Sequence, residues 1–173
     1  IETDDRGAVR VDAHLRTTAP HVFAAGDVTG GLQFTYVSLD DFRIIRDVLL
    51  GDGARTMANR GPVPYSVFIE PTLSHVGMHE EEARKAGRDI RVNRIAVAAF
   101  PRSRILGSTE GVLKAVIDAK TDEILGCTLF GAESGEVINT VATSMKHGVT
   151  AHDLSNSIYT HPSMSESLND LFA

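Results

Sequence analysis

The rhythm of apolar and polar positions changes near residue 60. Ahead of that point, Val9-Arg10-Val11 and His21-Val22-Phe23-Ala24-Ala25 are short β-type signals, separated by polar residues and Pro20 and ended by Gly26-Asp27. Neither forms a sheet by itself. Beyond Gly30-Gly31, Phe42, Ile45 and Leu49 recur at spacings of three and four, with Asp40, Asp41, Arg43, Arg46 and Asp47 between them. This predicts an amphipathic helix over 35–50 with those three apolar residues on its inner stripe. Gly51-Asp52-Gly53 closes the helix, and the polar run to Pro62 and Pro64 reads as a linker. The pattern divides the chain into 1–60 and 61–173.

From Tyr65 on, β-type runs occur at 65–69, 90–100, 112–118 and 123–130, with a helical segment Glu80–Ala86 after the first. The last two runs, joined by Ala119-Lys120-Thr121-Asp122, predict a hairpin and hence antiparallel pairing. Val137, Ile138, Val141 and Met145 share one face of a helix that ends at His147-Gly148, and shorter helical segments follow near 151–157 and 163–171. Strands first and helices last give an α+β fold: an antiparallel sheet with helices.

Composition narrows the function classes. The chain of 173 residues carries 17 Lys and Arg against 23 Asp and Glu, a formal charge of −6 with no basic block, which argues against nucleic acid as a partner. No apolar run reaches the ~18 residues of a membrane span. The single cysteine, Cys127, rules out an internal disulfide, a cysteine-rich zinc site and a dithiol redox pair within these residues, and fits a reducing compartment. The chain begins Ile1-Glu2-Thr3 and soon reaches what reads as the last strand of a larger sheet, so a fragment is expected.

Two constellations can carry chemistry. In Thr17–Asp27, small residues and a glycine let another group approach the backbone, and the carboxylate of Asp27 can accept from ligand hydroxyls while the helix that starts near Thr35 offers free amides. The alternative is that Gly26-Asp27 is only a turn. In Thr160-His161-Pro162-Ser163-Met164-Ser165-Glu166, Glu166 lies close enough to reach back to His161, fixing its tautomer as a general acid–base needs. The alternative is that Ser163-x-x-Glu166 is a capping box. Weaker candidates are His75, Met78 and His79 as metal ligands, for which no carboxylate or thiol completes the set, and Arg102 and Arg104 as phosphate contacts. No metal site is assigned, and Cys127 reads as a buried, inert thiol.

Read together and in this order, the two constellations resemble the C-terminal part of the flavin-dependent pyridine nucleotide–disulfide oxidoreductases, which include glutathione reductase, dihydrolipoamide dehydrogenase and mercuric reductase. The family's Thr-x-x-Pro-x-(Val/Ile)-(Phe/Tyr)-Ala-x-Gly-Asp, which closes its FAD domain, is matched by residues 17–27, and its terminal His-Pro-x-x-x-Glu by His161–Glu166. The runs Phe34–Asp41 and Thr160–Phe172 further resemble the bacterial branch linked to reactive chlorine resistance and hypothiocyanous acid reduction. The resemblance implies that 1–60 is the C-terminal remnant of an FAD-binding domain, its last strand and helix, and that 61–173 is a dimerisation domain. It implies that Asp27 contacts the ribityl or phosphate portion of FAD, with Phe34 and Thr35 near the flavin ring. His161 becomes the acid–base residue and Glu166 its orienting partner, both acting at the active site of the other subunit.

The implied whole is a cytoplasmic homodimer using FAD and NAD(P)H to reduce a small-molecule oxidant or disulfide, with no nucleic acid or membrane partner. The family's Gly-rich FAD fingerprint, Cys-x4-Cys dithiol and NAD(P)H module do not occur here, so the isolated residues are expected to be inactive and to hold no FAD. Self-association is expected through 62–173, with Val137, Ile138, Val141 and Met145 as the shared apolar patch. His79 stands where the family places Ser or Thr ahead of the Glu-rich helix, which removes the expected cap. Mercuric reductase, dihydrolipoamide dehydrogenase and a non-catalytic α+β interaction domain remain alternatives.

Overall fold

The computed structural model describes residues 1–173 as two compact units, Ile1–Gly61 and Pro62–Ala173. In the first unit the two expected strands do not form. Val9 and Phe23 take part only in isolated bridges, to Thr3 and Arg16, because strand pairing needs a continuous partner and the unit offers each segment only one or two residues. A tight 3-10 turn, Gly26–Thr29, leads to helix α1, Thr35–Leu50.

Helix α1 is turned relative to the expectation. Phe42 and Leu49 are exposed, whereas Val37, Asp40, Asp41 and Ile44 are buried. The buried set has the i, i+3, i+4, i+7 spacing of an inward face, with two carboxylates in positions usually apolar. Their burial is compensated by arginines from the following segment. Arg55 pairs with Asp40, and Arg60 with both Asp40 and Asp41. Charges withdrawn from water require such partners.

The second unit is the expected α+β fold. Strands β1 (Tyr65–Val67), β2 (Leu73–Gly77), β3 (Ile90–Ala96), β4 (Val112–Asp118) and β5 (Ile124–Phe130) form an antiparallel sheet in the order β1-β2-β5-β4-β3. The β4–β5 hairpin turns where Asp118 Oδ1 accepts the amides of Lys120 and Thr121, both at 3.0 Å. Strand β2 carries no expectation in its sequence, yet it lies between β1 and β5 with Ser74, His75 and Val76 all buried. The run 90–100 ends as a strand at Ala96, and helix α3 (Pro101–Leu106) follows, begun by Pro101 and stopped by Gly107 in the left-handed conformation. Arg102 and Arg104 therefore lie on a helix.

Helices α4 (Ser134–Lys146), α5 (Ala151–Ser155) and α6 (Ser167–Phe172) form the main core with the sheet, α4 against β2 and β5, and α6 against β3 and β4. A smaller cluster joins Ala83 of helix α2 (Glu80–Lys85) to Val116 and Leu125. Val137, Ile138 and Val141 are 5%, 2% and 0% exposed within this core, which overturns the expectation that they form a shared patch: the sheet of their own unit already covers them. No helix is long and apolar enough to cross a membrane.

Candidate functional site

The segment that carries His161 leaves α5 and returns as α6. Helix α5 is started by Thr150, whose Oγ1 accepts the Asp153 amide at 3.1 Å while Asp153 Oδ2 accepts the Thr150 amide at 2.9 Å. At the other end, Leu168, Leu171 and Phe172 anchor α6 in the core, and Met164 buries the turn ahead of it. Between these anchors, His161 and Pro162 are joined by a cis peptide bond, and His161 projects outward.

His161 Nδ1 and Glu166 Oε2 are 2.7 Å apart, and the two side chains are 71% and 17% exposed. The carboxylate has no proton to give in its ionised form, so Nδ1 is the donor and Nε2 the free nitrogen. Glu166 Oε1 is shielded from solvent without a protein partner, which concentrates the carboxylate's hydrogen bonding on His161. Both sequence readings of this motif are present in part. Ser163 Oγ does accept the Glu166 amide, at 3.2 Å, as a cap does, but the Glu166 carboxylate is turned to His161 rather than back to Ser163. A shielded carboxylate holding an exposed imidazole by one nitrogen leaves the other nitrogen able to take or give a proton.

The turn at Asp27 is held from behind. The Gly26 amide donates to Asp41 Oδ2 at 2.8 Å, and a Cβ at Gly26 would come within 2.6 Å of Ser38 Oγ. With φ at 73° as well, this position suits glycine. The Asp27 carbonyl accepts from Gly30 N–H at 3.0 Å, so a turn does exist there, while the Asp27 side chain is exposed beside an open hollow of about 330 Å³ lined also by Arg6, Ala8, Val28, Gly30 and Gln33. Phe34 and Thr35 stand at the start of α1, both exposed and neither lining that hollow. The helix start has no side-chain cap, and with the Val37 amide donating to Phe34 O at 2.9 Å it is the amides of Thr35 and Tyr36 that suit an electron-rich group.

The weaker candidates resolve otherwise. His75 Nε2 donates to Gly77 O at 2.9 Å and Nδ1 accepts from Thr128 Oγ1 at 2.8 Å, so both nitrogens are engaged. Burial pushes its pKa below the usual imidazole value. His79 stacks on it with ring centres 3.8 Å apart. The cap feared lost at His79 is replaced from the other side, where Glu82 Oε2 accepts the His79 amide at 2.7 Å. Arg104 donates to Ala98 O and Ala99 O at 2.9 Å, and Arg102 to Glu133 at 3.0 Å, which uses both guanidinium groups within the fold. Cys127 is 1% exposed, and burial pushes its thiol upward.

The sequence reading gave no part to Asp41 and Arg60, which hold the Asp27 turn, or to Asn169. The Asn169 side-chain amide donates to Leu154 O at 3.1 Å, Ser155 O at 3.0 Å and Ser157 O at 2.9 Å.

The family model for the pyridine nucleotide-disulphide oxidoreductase dimerisation domain matches residues 63–172, and that for pyridine nucleotide-disulphide oxidoreductase matches 1–41. The probable pyridine nucleotide-disulfide oxidoreductase RclA of Escherichia coli K12 is 56% identical over all 173 residues, which span 39% of its length. A dihydrolipoyl dehydrogenase of Mycobacterium tuberculosis is 32% identical over 172 residues, 99% of this chain and 37% of that protein. A mercuric reductase of Bacillus cereus is 32% identical over 168 residues, 97% of this chain and 26% of that protein. The solved structure of RclA, described as an HOCl-induced flavoprotein disulfide reductase, superposes with a TM-score of 0.95 over 99% of this chain and 40% of that one.

Proposed function

The chain belongs to the pyridine nucleotide-disulphide oxidoreductases, and from that premise we propose that it supplies the acid–base pair His161–Glu166 to the active site of a partner subunit in a homodimeric flavoenzyme. The observation that carries this reading is the 2.7 Å contact between Glu166 Oε2 and Nδ1 of an imidazole whose side chain is 71% exposed. An outward-facing imidazole held from behind by a carboxylate suits an acid–base group that serves a neighbour.

Disulfide chemistry needs proton transfer in both directions. A thiolate that attacks a disulfide or oxidant leaves an anion to be protonated, and a thiol must lose its proton before attacking in return. In the first direction the imidazolium gives its Nε2 proton to the leaving anion. In the second, neutral Nε2 takes the proton of a thiol. Glu166 keeps Nδ1 as the donor throughout, so the proton always moves at Nε2.

The family implies a flavin and a pyridine nucleotide. The residues present fit one edge of an FAD: the Asp27 carboxylate beside its hollow, and the uncapped start of α1 at Phe34 and Thr35. FAD bound there would carry reducing equivalents from NAD(P)H to a dithiol. The identity of 56% to RclA, against 32% to the dihydrolipoyl dehydrogenase and the mercuric reductase, together with the resemblance carried by Phe34–Asp41 and Thr160–Phe172, supports a thiol-reactive oxidant such as hypothiocyanous acid as substrate, and the lone buried cysteine suits a reducing cytoplasm. The 173 residues alone, without a dithiol, are inactive in this reading.

The test is made on the intact enzyme. His161→Ala lowers disulfide-type turnover by roughly 10²–10⁴-fold with flavin content unchanged, and Glu166→Gln costs less. Stopped-flow measurement then shows the loss in steps that involve the dithiol, while direct transfer from flavin to an artificial acceptor is spared. Normal turnover in His161→Ala removes the assignment.

A further inference from the structure

Between α5 and α6 the chain has no regular structure, and it carries Ile158, 100% exposed, as well as the outward-facing His161. A segment of this kind has no repeating backbone hydrogen bonds to set its path, and ordering it costs conformational entropy. Its geometry must therefore come from contacts outside itself. Ser157 Oγ donates back to Asp153 O at 2.8 Å, and the Tyr159 hydroxyl to Leu154 O at 3.3 Å. Met164 is buried in the core and Tyr159 packs against it, and further contacts come from α6.

Asn169 lies one turn after Glu166, on the same side of the helix. Its amide has two N–H groups facing three carbonyl oxygens, Leu154, Ser155 and Ser157, so one donor is shared. These carbonyls lie at and just beyond the C-terminal end of α5, where the intrahelical ladder runs out; Leu154 O also accepts the Ser157 amide and the Tyr159 hydroxyl, both at 3.3 Å. Helix α6 thus grips the segment at both ends, through Asn169 near its origin and through Glu166 at His161. We propose that Asn169 is a positioning residue for His161: it fixes where the segment departs, so that Nδ1 meets the Glu166 carboxylate. The proposal rests on the acid–base reading only for its effect on turnover; the positioning itself is read independently.

Asn169→Asp keeps the size of the side chain and turns its donor into an acceptor facing three carbonyls; Asn169→Ala removes it and serves if the first variant does not fold. In intact enzyme labelled with ¹⁵N-histidine, wild-type His161 shows the tautomer protonated at Nδ1, and the variants show an average of the two tautomers. Disulfide-type turnover falls by about 10–100-fold, as expected for a misplaced reacting group, with KM and direct flavin-to-acceptor transfer within about 2-fold of wild type. Combined with His161→Ala, the Asn169 variant lowers turnover no further, because both act through one group.

An unchanged His161 signal in a folded Asn169 variant overturns the proposal, as does a further loss of equal size in the His161→Ala background. If the tautomers mix while His161→Ala keeps full turnover, positioning is upheld and the acid–base reading fails.

Discussion

Asp41 shows what a single side chain does for this fold. Being 2% exposed, it accepts the Gly26 amide and pairs with Arg60, whose own side chain is 14% exposed. Asp41→Ala leaves that amide unsatisfied and Arg60 with Asp40 alone. Stability of the first unit should fall by roughly 3 kcal/mol, the lower end for a broken buried pair because Arg60 retains some water. Hydrogen exchange at the Gly26 amide measures this directly; exchange as slow as in the wild type would mean that the turn is held by something else. The spacing 37, 40, 41, 44 was visible in the sequence, but two carboxylates on it read as a solvent face. Their arginine partners lie up to 20 residues further on, and such pairing leaves no periodic trace. His161 and Glu166 were legible for the opposite reason: both belong to one short turn, where spacing alone puts them within reach.

At the level of elements, periodicity revealed the β4–β5 hairpin and α4, each long enough to show a repeat. It missed β2, a strand of five residues buried in mid-sheet with Ser74 and His75 among them, because a strand enclosed on both sides need not alternate and its polar residues satisfy one another. Ser74 Oγ, for example, lies 2.8 Å from Ser66 Oγ and 3.1 Å from Ser134 Oγ. Six-residue α3 was too short to repeat. How α2 is fastened to the sheet was equally invisible in sequence. Its first residue, Glu80, pairs with Lys114 on β4 at 2.8 Å, with Arg84 at 3.1 Å and with Arg94 on β3. Hydrogen bonds from Lys114 and then Arg84 push its pKa from 4.5 to about 2. A carboxylate depressed in this way stabilises the fold fully above its ordinary pKa and loses that contribution as pH falls toward 2. The difference in melting temperature between wild type and Glu80→Gln should therefore be largest at neutral pH and shrink between pH 4.5 and 2, as followed by circular dichroism. A difference that stays constant over that range would show that the ion pairs do not fasten α2.

For the whole molecule, the apolar face reserved for association in the sequence proved to be core, and the exposed apolar residues of the second unit are others, among them Val67, Phe68 and Ile69 at the end of β1, Ile105 and Leu106 on α3, and Ile158 ahead of His161. Periodicity finds a face that must be covered but does not say by what. If His161 serves a neighbouring subunit, Ile158 lies in the contact between copies. Ile158→Glu in the intact enzyme should weaken dimerisation by about tenfold or more, the loss of 1.4 kcal/mol or more that an interface anchor gives, with sedimentation as the measurement; an unchanged dimer would place the contact elsewhere. The Asp27 region was legible only in outline, since this chain spans 39% of RclA and the proposed FAD contact rests on one turn and one helix start. The enclosed Cys127 bears on how such an enzyme can be studied. With its sulfur sealed in the sheet, this segment stays dark to alkylating reagents and dyes while native, so a label taken up by the intact protein marks a position outside these residues. The segment then adds no background when redox-active thiols are counted.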